Sequence, residues 1–149
     1  MRVLIVDDDP VTRTVLESRL VKWGYEVSAA ADGEPAWVMV GEIGEPLLII
    51  VDWMMPGLTG PQFCQRVYNR TDAGRFYMIL FTSRTSMDDQ TIGIVAGADA
   101  FLPKSLDFAR LRHQLETGAG ILEHRAQEAA AAGADREKQR RAGRDERSA

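Results

Sequence analysis

Cysteine and long apolar runs are both scarce in this sequence. Cys64 is the one cysteine among 149 residues, which excludes a disulfide framework within the chain and favours a reducing compartment. No segment reaches the roughly 18 consecutive apolar residues of a membrane-spanning helix. The apolar residues near the N-terminus give way to acids after only a few positions, which is too short a run for a signal peptide. These absences predict a cytoplasmic protein with one globular core.

An excess of positive charge is also missing. The formal net charge is −4, which gives no indication of a nucleic-acid or membrane partner. Large apolar side chains almost disappear after Leu122, while charged residues crowd the segment 136–147. A segment of this composition cannot bury a core of its own. We therefore expect one domain over residues 1–120, followed by a charged tail or linker, helical or disordered, over residues 121–149.

Short apolar runs alternate with amphipathic segments along the first 120 residues. The runs at 2–6, 47–51 and 77–81 are continuously apolar, as in strands buried on both faces, and weaker runs lie at 26–30 and 100–102. Helices are predicted at 10–23, with Asp9 as its N-cap, and at 35–43, 60–68, 87–96 and 106–115. This alternation predicts an α/β fold, a flavodoxin-like doubly wound sheet of five parallel strands in the order 2-1-3-4-5 with five helices.

Acidic and polar residues follow the predicted strands at their carboxyl ends. They are Asp7, Asp8 and Asp9 after the first strand, Asp52 after the third, Thr82 and Ser83 after the fourth, and Lys104 after the fifth. In the expected strand order these groups converge, and crowded carboxylates repel each other unless a hard cation such as Mg²⁺ lies among them. One carboxylate can then attack phosphorus while a hydroxyl and an ammonium bind the phosphoryl oxygens. The set indicates phosphoryl transfer to an aspartate.

The segments that carry these residues resemble the receiver domain of two-component response regulators. The matching segments are 3–9 (VLIVDDD), 52–60 (DWMMPGLTG), 81–83 (FTS) and 97–104 (GADAFLPK), and their mutual spacings also fit the family. The resemblance covers about residues 1–120 and leaves the tail unexplained.

The resemblance implies a role for each matching residue. The implied site consists of Asp52 as phosphoacceptor, Asp7, Asp8 and Asp52 as Mg²⁺ ligands together with the backbone carbonyl of Met54, Thr82 as switch hydroxyl, Lys104 as phosphoryl contact and Phe101 as aromatic switch. It further implies a histidine kinase or phosphotransfer protein as donor, and an output face built from the fourth helix, fifth strand and fifth helix. A homodimer through that face, slow self-dephosphorylation and no turnover enzyme activity complete the expectation.

One position departs from the family pattern. The family usually places proline after its lysine, often through a cis peptide, whereas here Ser105 follows Lys104 and Pro103 precedes it. A cis bond without proline costs about 2.5–4 kcal/mol. The Lys104–Ser105 bond is therefore expected to be either trans, with the lysine delivered differently, or cis and strained. Pro103 itself is tolerated if the fifth strand lies at the sheet edge.

Two other functions compete with the signalling hypothesis. Asp7, Asp9 and Val11 fit the Asp-x-Asp-x-Val pattern of haloacid-dehalogenase-type phosphatases, which would make Asp7 the nucleophile, but that pattern gives Asp52 no role. A receiver-like binding module that is never phosphorylated is the other alternative, raised by the unusual Lys104-Ser105 pair. The fifth helix could also continue into the tail and support dimerisation as a short coiled segment.

Overall fold

The computed structural model describes residues 1–105 and 108–148, with side chains described up to residue 143. The strands are β1 (Arg2–Val6), β2 (Glu26–Ala30), β3 (Leu47–Val51), β4 (Phe76–Thr82) and β5 (Ala100–Pro103). The helices are α1 (Pro10–Lys22), α2 (Gly33–Glu42), α3 (Gly60–Tyr68), α4 (Met87–Val95) and α5 (Phe108–Ser148), with a 3₁₀ turn at Ala73–Arg75. All strands are parallel and lie in the order β2-β1-β3-β4-β5, which confirms the predicted fold.

The central strands are buried on both faces. Every residue of β3 and β4 is buried, and successive side chains alternate between two hydrophobic clusters. Ile49 and Val51 face the cluster under α2 and α3, while Leu48 and Ile50 face the cluster under α1 and α5. The alternation follows from the two-residue period of a strand. It explains why the sequence shows continuous apolar runs instead of alternating ones.

α1 begins and ends where local chemistry predicts. The Asp9 carboxylate accepts hydrogen bonds from the Val11 amide at 3.1 Å and the Thr12 hydroxyl at 2.7 Å, so Asp9 is the N-cap. Pro10 occupies the first turn, where its missing N–H has no helical partner to lose. Gly24 ends the chain reversal with φ +91°, a conformation that favours glycine.

Several predicted boundaries differ from the structure by one or two residues. α2 begins at Gly33 instead of residue 35, because Asp32 already has the extended backbone of an N-cap. β4 is one residue longer at each end than predicted. β5 includes Pro103, which pairs with Thr82, and β5 is one of the two edge strands of the sheet. Among the described residues, no further strand pairs with the outer edge of β5, so the missing N–H of Pro103 interrupts no hydrogen bonds between strands there.

The fifth helix extends further than its predicted range of residues 106–115, into the segment for which helix and disorder were both left open. The start predicted at residue 106 lies outside the described residues, but the helix continues far beyond residue 115, to Ser148. Its first part packs through Leu111, Leu115 and Leu122, and a Cβ at Gly118 would lie 2.5 Å from the Tyr77 ring. The side chains from 123 to 142 are exposed. The division at residue 120 stays a prediction.

Helix propensity and local ion pairs account for the exposed part of α5. Alanines are good helix formers, and His124–Glu128 at 3.1 Å and Glu137–Arg141 at 3.5 Å are pairs one turn apart. Neither feature produces the apolar periodicity from which the helix was predicted. Across residues 1–105 and 108–148, no helix is both long enough and apolar enough to cross a bilayer.

Candidate functional site

The parallel register places two acids side by side. Val6 of β1 pairs with Val51 of β3, so Asp7 and Asp52 leave the sheet together at its carboxyl edge. The Asp52 amide donates to the Val6 carbonyl at 2.9 Å, which extends the ladder by one step. The backbone register alone therefore places Asp7 and Asp52 next to each other.

Asp7, Asp8 and Asp52 form an acidic cluster. One carboxylate oxygen from each lies within 4.8 Å of the others, and this is the sole group of metal-ligand residues in the described part of the chain. Asp7 and Asp52 are 2% and 8% exposed, whereas Asp8 is exposed. Three oxygen donors with one open side fit Mg²⁺, which binds few carboxylates and keeps several waters. The sequence predicted that these three acids converge, and the structure confirms that they do.

Lys104 reaches into this cluster. Its Nζ lies 2.9 Å from Asp7 Oδ2 and 3.1 Å from Asp52 Oδ2. Burial opposes the charged ammonium, but the hydrogen bonds to Asp7 and Asp52 outweigh it and raise the pKa of Lys104. One ammonium facing three carboxylates leaves an excess of negative charge. The cluster therefore attracts a further cation.

Burial, Lys104 and Asp7 shift the pKa of Asp52 in different directions. Burial raises the pKa of Asp52 above its ordinary value, the hydrogen bond from Lys104 lowers it, and the negative charge of Asp7 raises it again. The net direction is upward, because desolvation penalises the carboxylate form. Burial therefore disfavours the ionised form of Asp52, and a bound cation would offset that penalty.

Backbone groups hold both buried carboxylates in position. Asp7 Oδ1 accepts from the Asp9 amide at 2.9 Å, and Asp52 Oδ1 accepts from the Trp53 amide at 2.7 Å. In each acid the other oxygen faces Lys104. Gly60 is needed nearby, because a Cβ there would overlap the backbone carbonyl of Asp52. The site is therefore organised before any ligand enters it.

Lys104 is delivered through a trans peptide. No peptide bond is cis in the ranges 1–105 and 108–148, which decides between the two alternatives left open for the Lys104–Ser105 bond. The Lys104 amide donates to the Thr82 carbonyl at 3.0 Å and continues the β4–β5 ladder beyond Pro103. This hydrogen bond directs the lysine without the help of a following proline.

The remaining predicted residues lie on β4, on β5 and in the segment after Asp52. Thr82 is buried at the end of β4, and its hydroxyl accepts from the Arg84 amide at 3.2 Å. Phe101 is half-buried and packs beneath α4, where a Cβ at Gly93 would lie 3.5 Å from its ring. The side chain of Met54 is 58% exposed beside the cluster. The roles given to Thr82, Phe101 and the Met54 carbonyl stay predictions.

The structure adds contacts that the motif does not contain. The Arg84 guanidinium lies 5.1 Å from the buried Trp53 ring and pairs with Asp89 of α4 at 3.7 Å. Arg13 donates to the Asp7 carbonyl at 2.7 Å. No periodicity or spacing in the sequence brings the loop after β4 over the residue that follows Asp52. The only sequence signal was the position of Arg84, two residues after Thr82.

Known proteins match this chain over the same region. Residues 3–116 match the family model described as the response regulator receiver domain. The "Probable transcriptional regulator ycf27" of Cyanophora paradoxa is 38% identical over 119 residues, which are 76% of this chain and 48% of that protein. The chain spans about half the length of the curated relatives it matches.

Solved structures match the fold as well. Chemotaxis protein CheY4 of Vibrio cholerae is 30% identical with a TM-score of 0.72, over 78% of this chain and 96% of that one. Response regulator protein TrrA of Thermotoga maritima, solved in complex with Mg²⁺ and BeF, is 29% identical with a TM-score of 0.69, over 78% and 97% of the two chains.

Proposed function

Because the chain belongs to the response regulator receiver domain family, we propose that it accepts a phosphoryl group on Asp52 and passes the signal on as a change of shape. The observation that carries this proposal is the position of Asp52. Its carboxylate is buried at the end of β3, within an acidic cluster, and its Oδ2 lies 3.1 Å from Lys104 Nζ. Asp7 shares the burial and the contact with Lys104, at 2.9 Å, but by the family resemblance it takes the place of a metal ligand, whereas Asp52 takes that of the phosphoacceptor.

The reaction requires little covalent chemistry from the protein. An Asp52 carboxylate oxygen forms a bond to phosphorus, the phosphorus–nitrogen bond of a donor phosphohistidine breaks, and the donor imidazole leaves. The Trp53 amide holds Oδ1, which leaves Oδ2 directed toward the open side with Lys104. Lys104 then transfers its hydrogen bond to a phosphoryl oxygen. The donor is a histidine kinase or a phosphotransfer protein.

Asp7, Asp8 and Asp52 would hold Mg²⁺, together with the Met54 carbonyl. Bound Mg²⁺ supplies positive charge to the phosphoryl oxygens and to the crowded acids. The excess of carboxylates over ammonium supports this assignment. The chain's own contribution is to keep the acids together and to orient Asp52.

The output is a population shift, with slow self-dephosphorylation and no turnover of free substrate. Thr82 moves toward the phosphoryl group, and Phe101 follows beneath α4. The face of α4, β5 and α5 then changes its binding to a second copy or a target protein. Exposed apolar side chains on α4 support this role. They are Met87 (76%), Ile92 (51%), Ile94 (50%) and Val95 (80%).

The phosphatase alternative loses support from the geometry. That hypothesis needs Asp9 beside Asp7 as a working acid. Both Asp9 carboxylate oxygens instead face the first turn of α1, where they bond to Val11 and Thr12. Asp9 is a helix cap, and Asp7 lacks the second acid.

Acetyl phosphate labelling tests the proposed acceptor. With Mg²⁺ the wild type should gain one phosphoryl group, measured by intact mass, and Asp52→Asn should gain none. Asp32→Asn is the matched control, because Asp32 caps α2 without a side-chain hydrogen bond, and it should label like the wild type. Equal labelling of Asp52→Asn would exclude Asp52 as the acceptor.

A further inference from the structure

Arg84 connects the proposed phosphoryl site to α4 through both its backbone and its side chain. The backbone amide donates to the Thr82 hydroxyl at 3.2 Å. Thr82 is the group that the proposed function moves toward phosphorus. When the hydroxyl turns inward, the Arg84 amide loses its acceptor, so the loop before α4 is released at this point.

The guanidinium of Arg84 touches the segment that follows Asp52. It lies 5.1 Å from the Trp53 ring centre, a cation–π distance, and its Nη1 lies 3.7 Å from the Met54 sulfur. Trp53 is buried, so its ring is a fixed platform. The Arg84 side chain therefore lies beside the place where the phosphoryl group is proposed to be added.

The same guanidinium pairs with the first turn of α4. Arg84 Nη2 lies 3.7 Å from Asp89 Oδ1. Asp89 belongs to the capped turn, since its amide donates to the Ser86 side chain at 3.0 Å. The pair thus joins the N-terminus of α4 to the Trp53 platform while Asp52 carries no phosphoryl group.

The Arg84–Asp89 pair is weak enough to be exchanged. A charge-assisted hydrogen bond between nitrogen and oxygen measures about 2.7–2.9 Å, which is shorter than the 3.7 Å found here. A phosphoryl group carries roughly −1.5 to −2 charges and has strong acceptor oxygens. It would compete with the single negative charge of Asp89 for the guanidinium.

We propose that Arg84 is a positioning residue that holds the first turn of α4 against Trp53 in the unphosphorylated chain and releases it when Asp52 is phosphorylated. This inference rests on the proposed function and adds the physical link between the acceptor and the output helix. Removing the Arg84 side chain should therefore imitate, at α4, part of the effect of phosphorylation.

Hydrogen exchange of the full chain tests the link. In unphosphorylated Arg84→Ala and Asp89→Asn, amides of residues 87–91 should exchange about two- to fivefold faster than in the wild type, the factor expected from a partly exposed ion pair with a cation–π contact. The double variant should exchange no faster than the faster single variant. Acetyl phosphate with Mg²⁺ should raise the wild-type rate toward the Arg84→Ala rate.

A second readout separates coupling from general loosening. In a Trp23→Phe, Trp37→Phe background, Trp53 is the remaining tryptophan, and it can be excited apart from the three tyrosines. Its emission should change on phosphorylation with Arg84 present, change less with Arg84→Lys and stay constant with Arg84→Ala. For the hydrogen-exchange measurement, in the chain that keeps Trp23, Arg112→Ala is the matched control. Arg112 also stacks on a tryptophan (5.6 Å from Trp23) and pairs with an acid (3.4 Å from Glu116), but within α5 and its neighbourhood.

The outcomes distinguish the two proposals. If the wild type gains no phosphoryl mass, the proposed function and this coupling fail together. If the wild type is phosphorylated, but α4 exchange and Trp53 emission respond in Arg84→Ala as in the wild type, the coupling alone fails. A change in Arg112→Ala equal to that in Arg84→Ala would also overturn it.

Discussion

Two clusters of charged side chains lie at opposite ends of the sheet, and their charge balance is reversed. At the carboxyl end, Lys104 faces the acids Asp7, Asp8 and Asp52. At the amino end of β4, the single carboxylate of Asp72 faces two arginines, Arg70 at 2.8 Å and Arg75 at 2.8 Å. The first cluster has more acids than cations, and the second has more cations than acids.

Arg75 has acceptors for four of its five guanidinium N–H groups. Besides Asp72, its guanidinium donates to the backbone carbonyls of Ile43 at 2.7 Å, Glu45 at 3.1 Å and Val40 at 3.2 Å. These carbonyls lie at and beyond the end of α2, where helical partners run out. The amino-end cluster therefore fastens α2 and the following loop to the start of β4.

The pKa shifts of the two clusters have opposite signs. The hydrogen bond from Arg70 is the largest influence on Asp72 and lowers its pKa well below the ordinary value, with Arg75 adding to the effect. Burial is the largest influence on Asp52 and raises its pKa. A satisfied acid stabilises the fold in its ionised form, whereas a crowded acid stores unfavourable energy that a ligand can release.

The largest expected effect is stabilisation by Mg²⁺ at the carboxyl end. At a free Mg²⁺ concentration of 100 times Kd, binding to the native state alone adds about 2.7 kcal/mol to the free energy of unfolding. Urea unfolding with and without Mg²⁺ should show this gain in the wild type and lose most of it in Asp7→Asn. Asp72→Asn should keep the full gain. An equal Mg²⁺ response in Asp7→Asn would show that the acidic cluster is not the metal site.

The next effect is the loss of Arg75. Arg75→Ala should lower the free energy of unfolding by about 2 kcal/mol, because three backbone carbonyls and Asp72 lose a partly buried donor. Arg75→Lys should recover only part, since an ammonium cannot span the same acceptors. Mg²⁺ affinity should be unchanged. A Mg²⁺ affinity that falls with stability would mean that the two clusters are not independent.

Sequence reasoning found the carboxyl-end cluster and missed the amino-end one, for physical reasons. Strand ends are visible as the point where an apolar run stops, so Asp7, Asp52 and Thr82 could be placed by counting. The parallel register of the strands was enough to predict that these residues lie at the same edge of the sheet, and no loop conformation had to be known. The bounds of β1, β2, β3 and α3 were predicted to the residue on the same basis.

The amino-end cluster depends on loop geometry that leaves no periodic signal. Asp72 caps the 3₁₀ turn at Ala73–Arg75 and Arg75 is its last residue, and the sequence did not predict this turn. The acceptors of Arg75 lie some 30 residues earlier, at the end of α2. Whether the exposed part of α5 is helical was likewise left open by the sequence, because alanine propensity and local ion pairs need no apolar face.

Substitution of the acceptor should reverse the usual sign of a mutation. Without Mg²⁺ at pH 7, Asp52→Asn should raise the free energy of unfolding by about 1 kcal/mol, because it removes a buried charge beside Asp7. Asp72→Asn should lower it, by less than about 1 kcal/mol because solvent screens that partly exposed carboxylate. Chemical denaturation of both variants in chelator measures this contrast. If both variants changed the free energy of unfolding in the same direction, the crowded Asp52 and the hydrogen-bonded Asp72 would not differ in the way argued.

The pH dependence follows with opposite signs. The depressed pKa of Asp72 gives stability that is present above the unfolded value of about 3.9 and is lost as pH falls toward the folded pKa. The raised pKa of Asp52 means that the folded chain binds this proton more tightly than the unfolded chain does. The contribution of Asp52 to the free energy of unfolding therefore falls as pH rises from about 4 through the folded pKa. In chelator, the stability advantage of Asp52→Asn over the wild type should therefore grow with pH over that interval. An advantage that stays flat with pH would show that Asp52 carries no raised pKa.

The smallest effect belongs to an ion pair that is neither crowded nor buried. Arg66 Nη1 lies 3.1 Å from Glu34 Oε1, with both side chains substantially exposed. Glu34→Gln should change the free energy of unfolding by less than about 0.5 kcal/mol, and the difference should vanish in about 1 M salt, where the screening length is about 3 Å. The Asp72 contribution, which rests on three hydrogen bonds from two arginines, should survive the same salt. If salt removes both differences equally, hydrogen-bond satisfaction is not what separates the amino-end cluster from an ordinary surface pair. The two clusters at the ends of the sheet would then differ only in net charge, and not in how well their charged groups are hydrogen-bonded.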